Sequence, residues 1–206
     1  MPRQFDAARL IVASHNPGKI TEIADLICPL GISVVGAAGL GLVPPDETGT
    51  TFAANAQIKS MFAATSINEP ALADDSGLVV EALDGEPGIY SARWAGPQCD
   101  FLGAMHRVQR ELLSRKAIVP ERRRAHFVSA LALGWPDGHC EVYEGIVRGH
   151  IVWPPRGNEG FGYDPIFRPS GYSLTFGEMK PSDKKKISHR TIAFSKLLDA
   201  CFSANA

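Results

Sequence analysis

Ser14-His15-Asn16-Pro17-Gly18-Lys19 joins an apolar run, Leu10 to Ala13, to apolar residues at helical spacing: Ile20, Ile23, Ala24, Ile27 and Leu30. A strand turning sharply into a helix aims free backbone N–H groups at whatever lies above the turn. Lys19 adds a full positive charge where the helix dipole already favours an anion. The segment reads as a phosphate cradle or, equally, as a plain strand–turn–helix corner with a surface lysine. It lacks the glycine spacing and Lys-Ser/Thr ending of a Walker A loop.

A second segment, Asp74-Asp75-Ser76-Gly77, is expected at the end of a short strand. Paired carboxylates there suit Mg²⁺, a hard cation that takes oxygen ligands, and the hydroxyl and glycine beside them could touch a phosphate. The other reading is a solvent-facing turn, since Asp, Ser and Gly favour turns. Glu47, in Asp46-Glu47-Thr48-Gly49-Thr50, is a further carboxylate for a metal. In Gly157-Asn158-Glu159-Gly160-Phe161-Gly162-Tyr163-Asp164-Pro165, glycines flank two aromatics. Such a stretch lets the backbone approach a flat ligand and offers a ring face to a base, or else it is a tight turn with packed aromatics. The fourth segment is Lys184-Lys185-Lys186-Ile187-Ser188-His189-Arg190. It is a solvated basic face or nucleic-acid patch, or, more specifically, Lys184 for a phosphate with His189 and Arg190 as donors to a base carbonyl. His106, His126, His139 and His150 have no metal-ligand spacing and read as structural, and Glu121-Arg122-Arg123-Arg124 reads as an exposed lead-in to a strand. Ser76 is no acyl nucleophile, because neither a G-x-S-x-G elbow nor a His partner accompanies it.

The elements that must hold these segments follow from pattern. Strands are expected at Leu10 to Ala13 and Ile32 to Gly36, and a short one over Ala71 to Ala73 leads into Asp74, with the apolar run Leu78-Val79-Val80 after Gly77. Helices are expected over Thr51 to Thr65, with Asn55 and Lys59 at i, i+4 on one face, and over Asp100 to Arg115. Two β-rich runs, His126 to Trp135 and His139 to Trp153, flank Pro136-Asp137-Gly138, a hairpin signal. A last helix starts after Ser188 as N-cap. The chain has 206 residues, 45% hydrophobic and 21% charged, enough for one large domain. The expected fold is α/β: two lobes around a long, mixed, largely antiparallel central sheet, with flanking helices and a cleft between the lobes. A net charge of −1 argues against a general nucleic-acid or membrane-surface binder. Four scattered cysteines without a C-x-x-C pair fit a reduced, cytoplasmic protein, and neither a membrane span nor a signal-peptide core is expected.

In order and composition the segments resemble the inosine/xanthosine triphosphate pyrophosphatase family, which removes non-standard purine nucleotides. The resemblance runs through Ser14 to Lys19 and Glu47-Thr48-Gly49 with Phe52, Asn55, Ala56 and Lys59. It continues through Ala73 to Leu78 and Pro87-Gly88-Ile89-Tyr90-Ser91-Ala92-Arg93, then Gly160 to Phe167 and Ser188-His189-Arg190. It implies a single domain over 1–206, a Mg²⁺-dependent hydrolase and a homodimer without nucleic-acid or membrane partners. The substrates it implies are ITP, dITP, XTP and dXTP, cleaved to the monophosphate and pyrophosphate. By motif, Ser14, His15, Asn16, Pro17, Gly18 and Lys19 hold the triphosphate with Lys59, Ser76 and Lys184. Asp75 is the catalytic carboxylate, and Glu47 joins it at the metal. Phe161, Gly162, Tyr163, Asp164, His189 and Arg190 form the base pocket. His15 departs from the Gly of many relatives, and the lysine run leaves open which of Lys184 to Lys186 meets phosphate. A carboxylate beside Mg²⁺ and lysines is expected to have a lowered pKa, which favours orienting water over taking its proton. Other readings are a Maf-like pyrophosphatase of different base specificity, or a non-enzymatic nucleotide or nucleic-acid binding module.

Overall fold

The computed structural model describes residues 1–202. In chain order the elements are β1 (Arg9–Val12), α1 (Pro17–Ile27), β2 (Ser33–Gly36), α2 (Phe52–Ile67), β3 (Ala71–Val80) and α3 (Ser91–Ala95). There follow α4 (Phe101–Ser114), β4 (Arg124–Gly134), β5 (Cys140–Ile151), β6 (Phe167–Pro169), α5 (Pro181–Ile187) and α6 (His189–Cys201). The strands form one six-stranded sheet in the order β2-β1-β3-β4-β5-β6. The sheet is mixed: β1 pairs in parallel with both β2 and β3, whereas β6 is antiparallel to β5. Parallel neighbours need a crossover, which α1 and α2 supply; the hairpin signal alone had weighted the expectation toward antiparallel pairing.

Two compact units share the chain. The first comprises Met1–Asp75, Ser129–Gly145 and the segment from Arg190 on; the second comprises Ser76–Val128 and Ile146–His189. In the first unit the period-two alternation of the strands sorts the core onto two faces. Leu10, Val12, Leu72, Leu131 and Leu133 pack with Ile23 and Ile27 of α1 and Phe194 and Leu197 of α6. Ile11, Ala13, Ala71 and Ala73 pack with Ala63 and Ala64 of α2, where small side chains bring helix and strand close. Each fully buried Leu, Ile or Phe contributes roughly 1.5–3 kcal/mol. Thr51 caps α2 by accepting from the Ala54 N–H at 3.1 Å.

In the second unit Phe127, Phe167 and Phe176 make ring contacts of 4.6–6.0 Å between centroids. Asp100 caps α4 by accepting from the Gly103 N–H at 2.9 Å; Ala104, Met105, Val108 and Leu112 form its buried face, and Phe101, at the same spacing, is half-buried. Two expectations need correction here. Asp74 to Gly77 do not end a strand or form a turn; they lie inside the ten-residue β3, because the apolar residues on both sides are buried along one continuous strand. Arg123 is not an exposed strand lead-in: it is buried, donating to the Ile151 carbonyl at 2.9 Å and the Gln109 side chain at 2.6 Å.

Candidate active site

Successive residues of a strand point to opposite faces, so β3 sends the Asp74 and Asp75 side chains to different helices of the first unit. Asp74 joins the face covered by α1 and α6. Its Oδ1 accepts from the Ser129 hydroxyl at 2.6 Å, and its Oδ2 lies 2.9 Å from Lys19 Nζ and 3.1 Å from an Arg190 nitrogen. Burial by itself would raise the Asp74 pKa, but Arg190, Lys19 and Ser129 together hold it well below the ordinary carboxylate range. Arg190 is 1% exposed and also pairs with Glu22 of α1, and its two carboxylate partners raise its pKa against the pull of burial.

Asp75 faces α2. Its Oδ1 is 2.8 Å from Lys59 Nζ, which also lies 2.9 Å from Glu47 Oε1 and donates to the Asp74 carbonyl at 3.1 Å. Asn55, one turn before Lys59, approaches Asp75 Oδ2 at 3.5 Å through its amide nitrogen. Its carbonyl oxygen accepts from the Gly49 N–H at 2.9 Å and so ties the Glu47 loop to α2. Burial pushes the Asp75 carboxyl above its ordinary range; Lys59 and Lys19 oppose this, and Glu47 adds like charge. Burial therefore outweighs the lowering that the lysines exert as expected. Lys59 is held charged by Asp75 and Glu47 despite its burial.

The corner before α1 is a capped helix start. Asn16 Oδ1 accepts from the Lys19 N–H at 3.2 Å, Pro17 opens the helix, and the Ser14 hydroxyl accepts from the Asn16 N–H at 3.2 Å. His15 reaches the Leu42 carbonyl at 2.9 Å, and Gly18 lies in the first helical turn. Lys19 is no surface lysine: its side chain is only 15% exposed and is aimed at Asp74.

The second unit gathers the remaining candidates, beginning with Ser76, which stands half-buried in β3 after Asp75. Asp164 Oδ2 lies 2.7 Å from Lys184 Nζ and accepts from the Phe161 N–H at 2.8 Å. Gly160 adopts a φ of +72°, and a Cβ there would collide with the Asp164 carboxylate, so this turn requires glycine. Lys184 Nζ stands 4.9 Å from the centre of the half-buried Phe161 ring. Gly162 follows with a φ of +67°. Tyr163 is buried, its hydroxyl donating to the Ser91 carbonyl at 2.9 Å and its ring meeting the edge of Phe101. His189 stacks on Phe127 with ring centres 4.9 Å apart. Of the lysine run only Lys184 is buried; Lys185 and Lys186 are exposed.

The sequence reading placed His189 and Arg190 together, but the helix start at His189 separates their surroundings, and Arg190 is engaged by Asp74 and Glu22. Asp74, expected as one of a carboxylate pair for Mg²⁺, instead meets Lys19, Arg190 and Ser129, and Ser129, Asn55 and Glu22 join the site without having been assigned a role in it. Ser129 was signalled as the one hydroxyl in an apolar strand, and Asn55 by its spacing from Lys59. Glu22 carried no signal, being one acid on a helix face.

Known proteins resemble this chain over most of its length. The chain is 55% identical over 202 residues to the dITP/XTP pyrophosphatase of Rhodopseudomonas palustris, covering 95% of this chain and 96% of that protein. It is 54% identical over 199 residues to the protein of the same name from Zymomonas mobilis, covering 97% and 94%. The structure of a HAM1 protein from Coxiella burnetii matches with a TM-score of 0.86 at 34% identity, covering 96% of this chain and 99% of that one. Residues 10–200 match the Ham1 family, and the chain belongs to it.

Proposed function

We propose that this chain hydrolyses the non-standard purine nucleotides dITP, ITP, XTP and dXTP to the nucleoside monophosphate and pyrophosphate. One observation carries this reading. Glu47 and Asp75 converge on the Lys59 ammonium, while Lys19 and Lys59 both reach the Asp74 carbonyl. Relatives more than half identical to the chain are named for that reaction. Water attacks the α-phosphorus, the bond to the bridging oxygen breaks, and pyrophosphate leaves with that oxygen. Asp75 orients the attacking water and accepts its proton.

Glu47 and Asp75 fit Mg²⁺, because two hard carboxylate oxygens lie within 2.9 Å of one cation, the Lys59 ammonium. Mg²⁺ uses one or two carboxylates together with substrate phosphates. When bound, the ion supplies charge that offsets the triphosphate. Ser14, Asn16, Gly18 and Lys19 at the start of α1, with Ser76, bind the phosphate oxygens, and Lys59 and Lys184 add positive charge. On the base side, Phe161 offers a stacking face, Gly162 and Asp164 hold its turn, and Tyr163 braces it through Ser91. His189 donates to O6, which hypoxanthine and xanthine present where adenine presents an amino donor. Arg190 contributes by holding Asp74, not by reading a base. The enzyme works as a cytoplasmic homodimer without nucleic-acid or membrane partners; light scattering on the purified protein checks the dimer.

The test is steady-state hydrolysis of ITP, dITP, XTP, GTP, ATP and modified UTP with Mg²⁺, separating released pyrophosphate from phosphate. Pyrophosphate from ITP, dITP and XTP, with similar kcat/KM for ITP and dITP, supports the reading. Phosphate as the product, or a preference for modified UTP, overturns it.

A further inference from the structure

We infer that Asp74 is a positioning residue for triphosphate binding that acts through Lys19, an inference that rests on the reading of Lys19 as a triphosphate ligand. The Asp74 carboxylate is 1% exposed, yet it stands on the face of β3 that continues Leu72. An apolar side chain there would extend the Leu10, Val12 and Leu72 surface without the cost of burying a charge. The carboxylate instead draws in three donors from three elements: Ser129 of β4, Arg190 of α6 and Lys19 of α1.

The consequence falls on Lys19. Two of its three ammonium donors are directed at Asp74, one at Oδ2 at 2.9 Å and one at the backbone carbonyl at 3.4 Å. The third remains for a phosphate oxygen. A lysine fixed before the ligand arrives has less conformational entropy to lose on binding. Arg190 offsets the Asp74 charge and is itself steadied by Glu22, so Lys19 keeps its attraction for an anion. Lys59 differs: its ammonium donates to Glu47, Asp75 and the Asp74 carbonyl, so all its donors meet protein oxygens. Asp74 thus orients Lys19 with its side chain and, through its carbonyl, one donor of Lys59.

A double-mutant cycle tests this, using inorganic tripolyphosphate and inosine as separate competitive inhibitors of dITP hydrolysis by Asp74→Asn, Lys19→Gln and the double variant. The expected result is that each single change weakens tripolyphosphate by about tenfold or more, as losing a hydrogen bond to a charged group does. The double variant is then within about twofold of Lys19→Gln alone, and inosine inhibition is unchanged within about twofold in Asp74→Asn. Multiplying effects in the double variant, full tripolyphosphate affinity in Asp74→Asn, or a parallel loss of inosine binding overturns the inference. If Lys19→Gln alone leaves tripolyphosphate inhibition intact, the reading of Lys19 fails, and the inference with it. Should Asp74→Asn not fold, Ser129→Ala keeps the charge and removes the 2.6 Å bond to Oδ1. It is expected to weaken tripolyphosphate about threefold to tenfold, and only while Lys19 is present.

Discussion

On one face of β3 the Asp74 carboxylate lies between Lys19 and Arg190, with the Ser129 hydroxyl closing its other oxygen. On the opposite face the adjacent Asp75 shares a single ammonium, that of Lys59, with Glu47. Both side chains are buried, so burial pushes both pKa values up. Arg190 and Lys19 with the Ser129 hydroxyl outweigh it and hold Asp74 low, whereas Lys59 and Lys19, opposed by the like charge of Glu47, do not outweigh it at Asp75. Neighbouring residues of one type thereby differ: the partners of Asp74 hold its pKa low, and burial leaves that of Asp75 raised.

The largest test of that difference is Asp75→Asn. It is expected to lower kcat by about 10²–10⁴-fold, the usual contribution of a general base. Its unfolding free energy, measured in urea with a chelator present, should fall by no more than about 1 kcal/mol, since the amide relieves a charge that burial disfavours. Arg190→Met attacks the other face. Removing one partner of a buried pair costs about 3–5 kcal/mol, so urea unfolding should register a large loss of stability. Near-parent stability would mean that the Asp74 face is not held by its cations. In the second unit, Phe161→Ala removes the proposed stacking face and should weaken substrate by about 1–3 kcal/mol, read as a higher KM with kcat nearly unchanged. The smallest effect is in pH. The folded pKa of Asp74 is lowered, so its contribution is complete above the unfolded value near pH 4 and is lost as pH falls toward the folded pKa. The stability gap between the parent and Asp74→Asn should therefore narrow as the pH is taken from 7 to 3. A gap independent of pH would place the benefit of Asp74 in shape instead of charge.

The legible part of the molecule was the part set by local chemistry. Asn16 and Pro17 start α1, Thr51 and Asp100 cap their helices, and Pro136-Asp137-Gly138 turns the hairpin, because capping and turn preferences act over a few residues. Asp75, Glu47 and Lys59 stood out by type and spacing, and the structure brings them together on one ammonium. The run Asp74 to Gly77 misled, since turn-forming residues can continue a strand when their side chains find buried partners on both faces. The lysine run misled in part: α5 turns Lys184 inward to Asp164 and leaves Lys185 and Lys186 in solvent.

By itself the sequence determined the family, because its motifs, each open to a plainer reading alone, resemble that family in their combined order. It also determined most elements, since periodicity and caps are local. Tertiary structure alone decided what each carboxylate of β3 meets. Asp74 and Asp75 are identical in type and adjacent in the chain, and only the packing of α1, α2, α6 and β4 around β3 sets which groups contact each one. Electrostatic energy depends on distance through space, and distance along the chain carries no record of it.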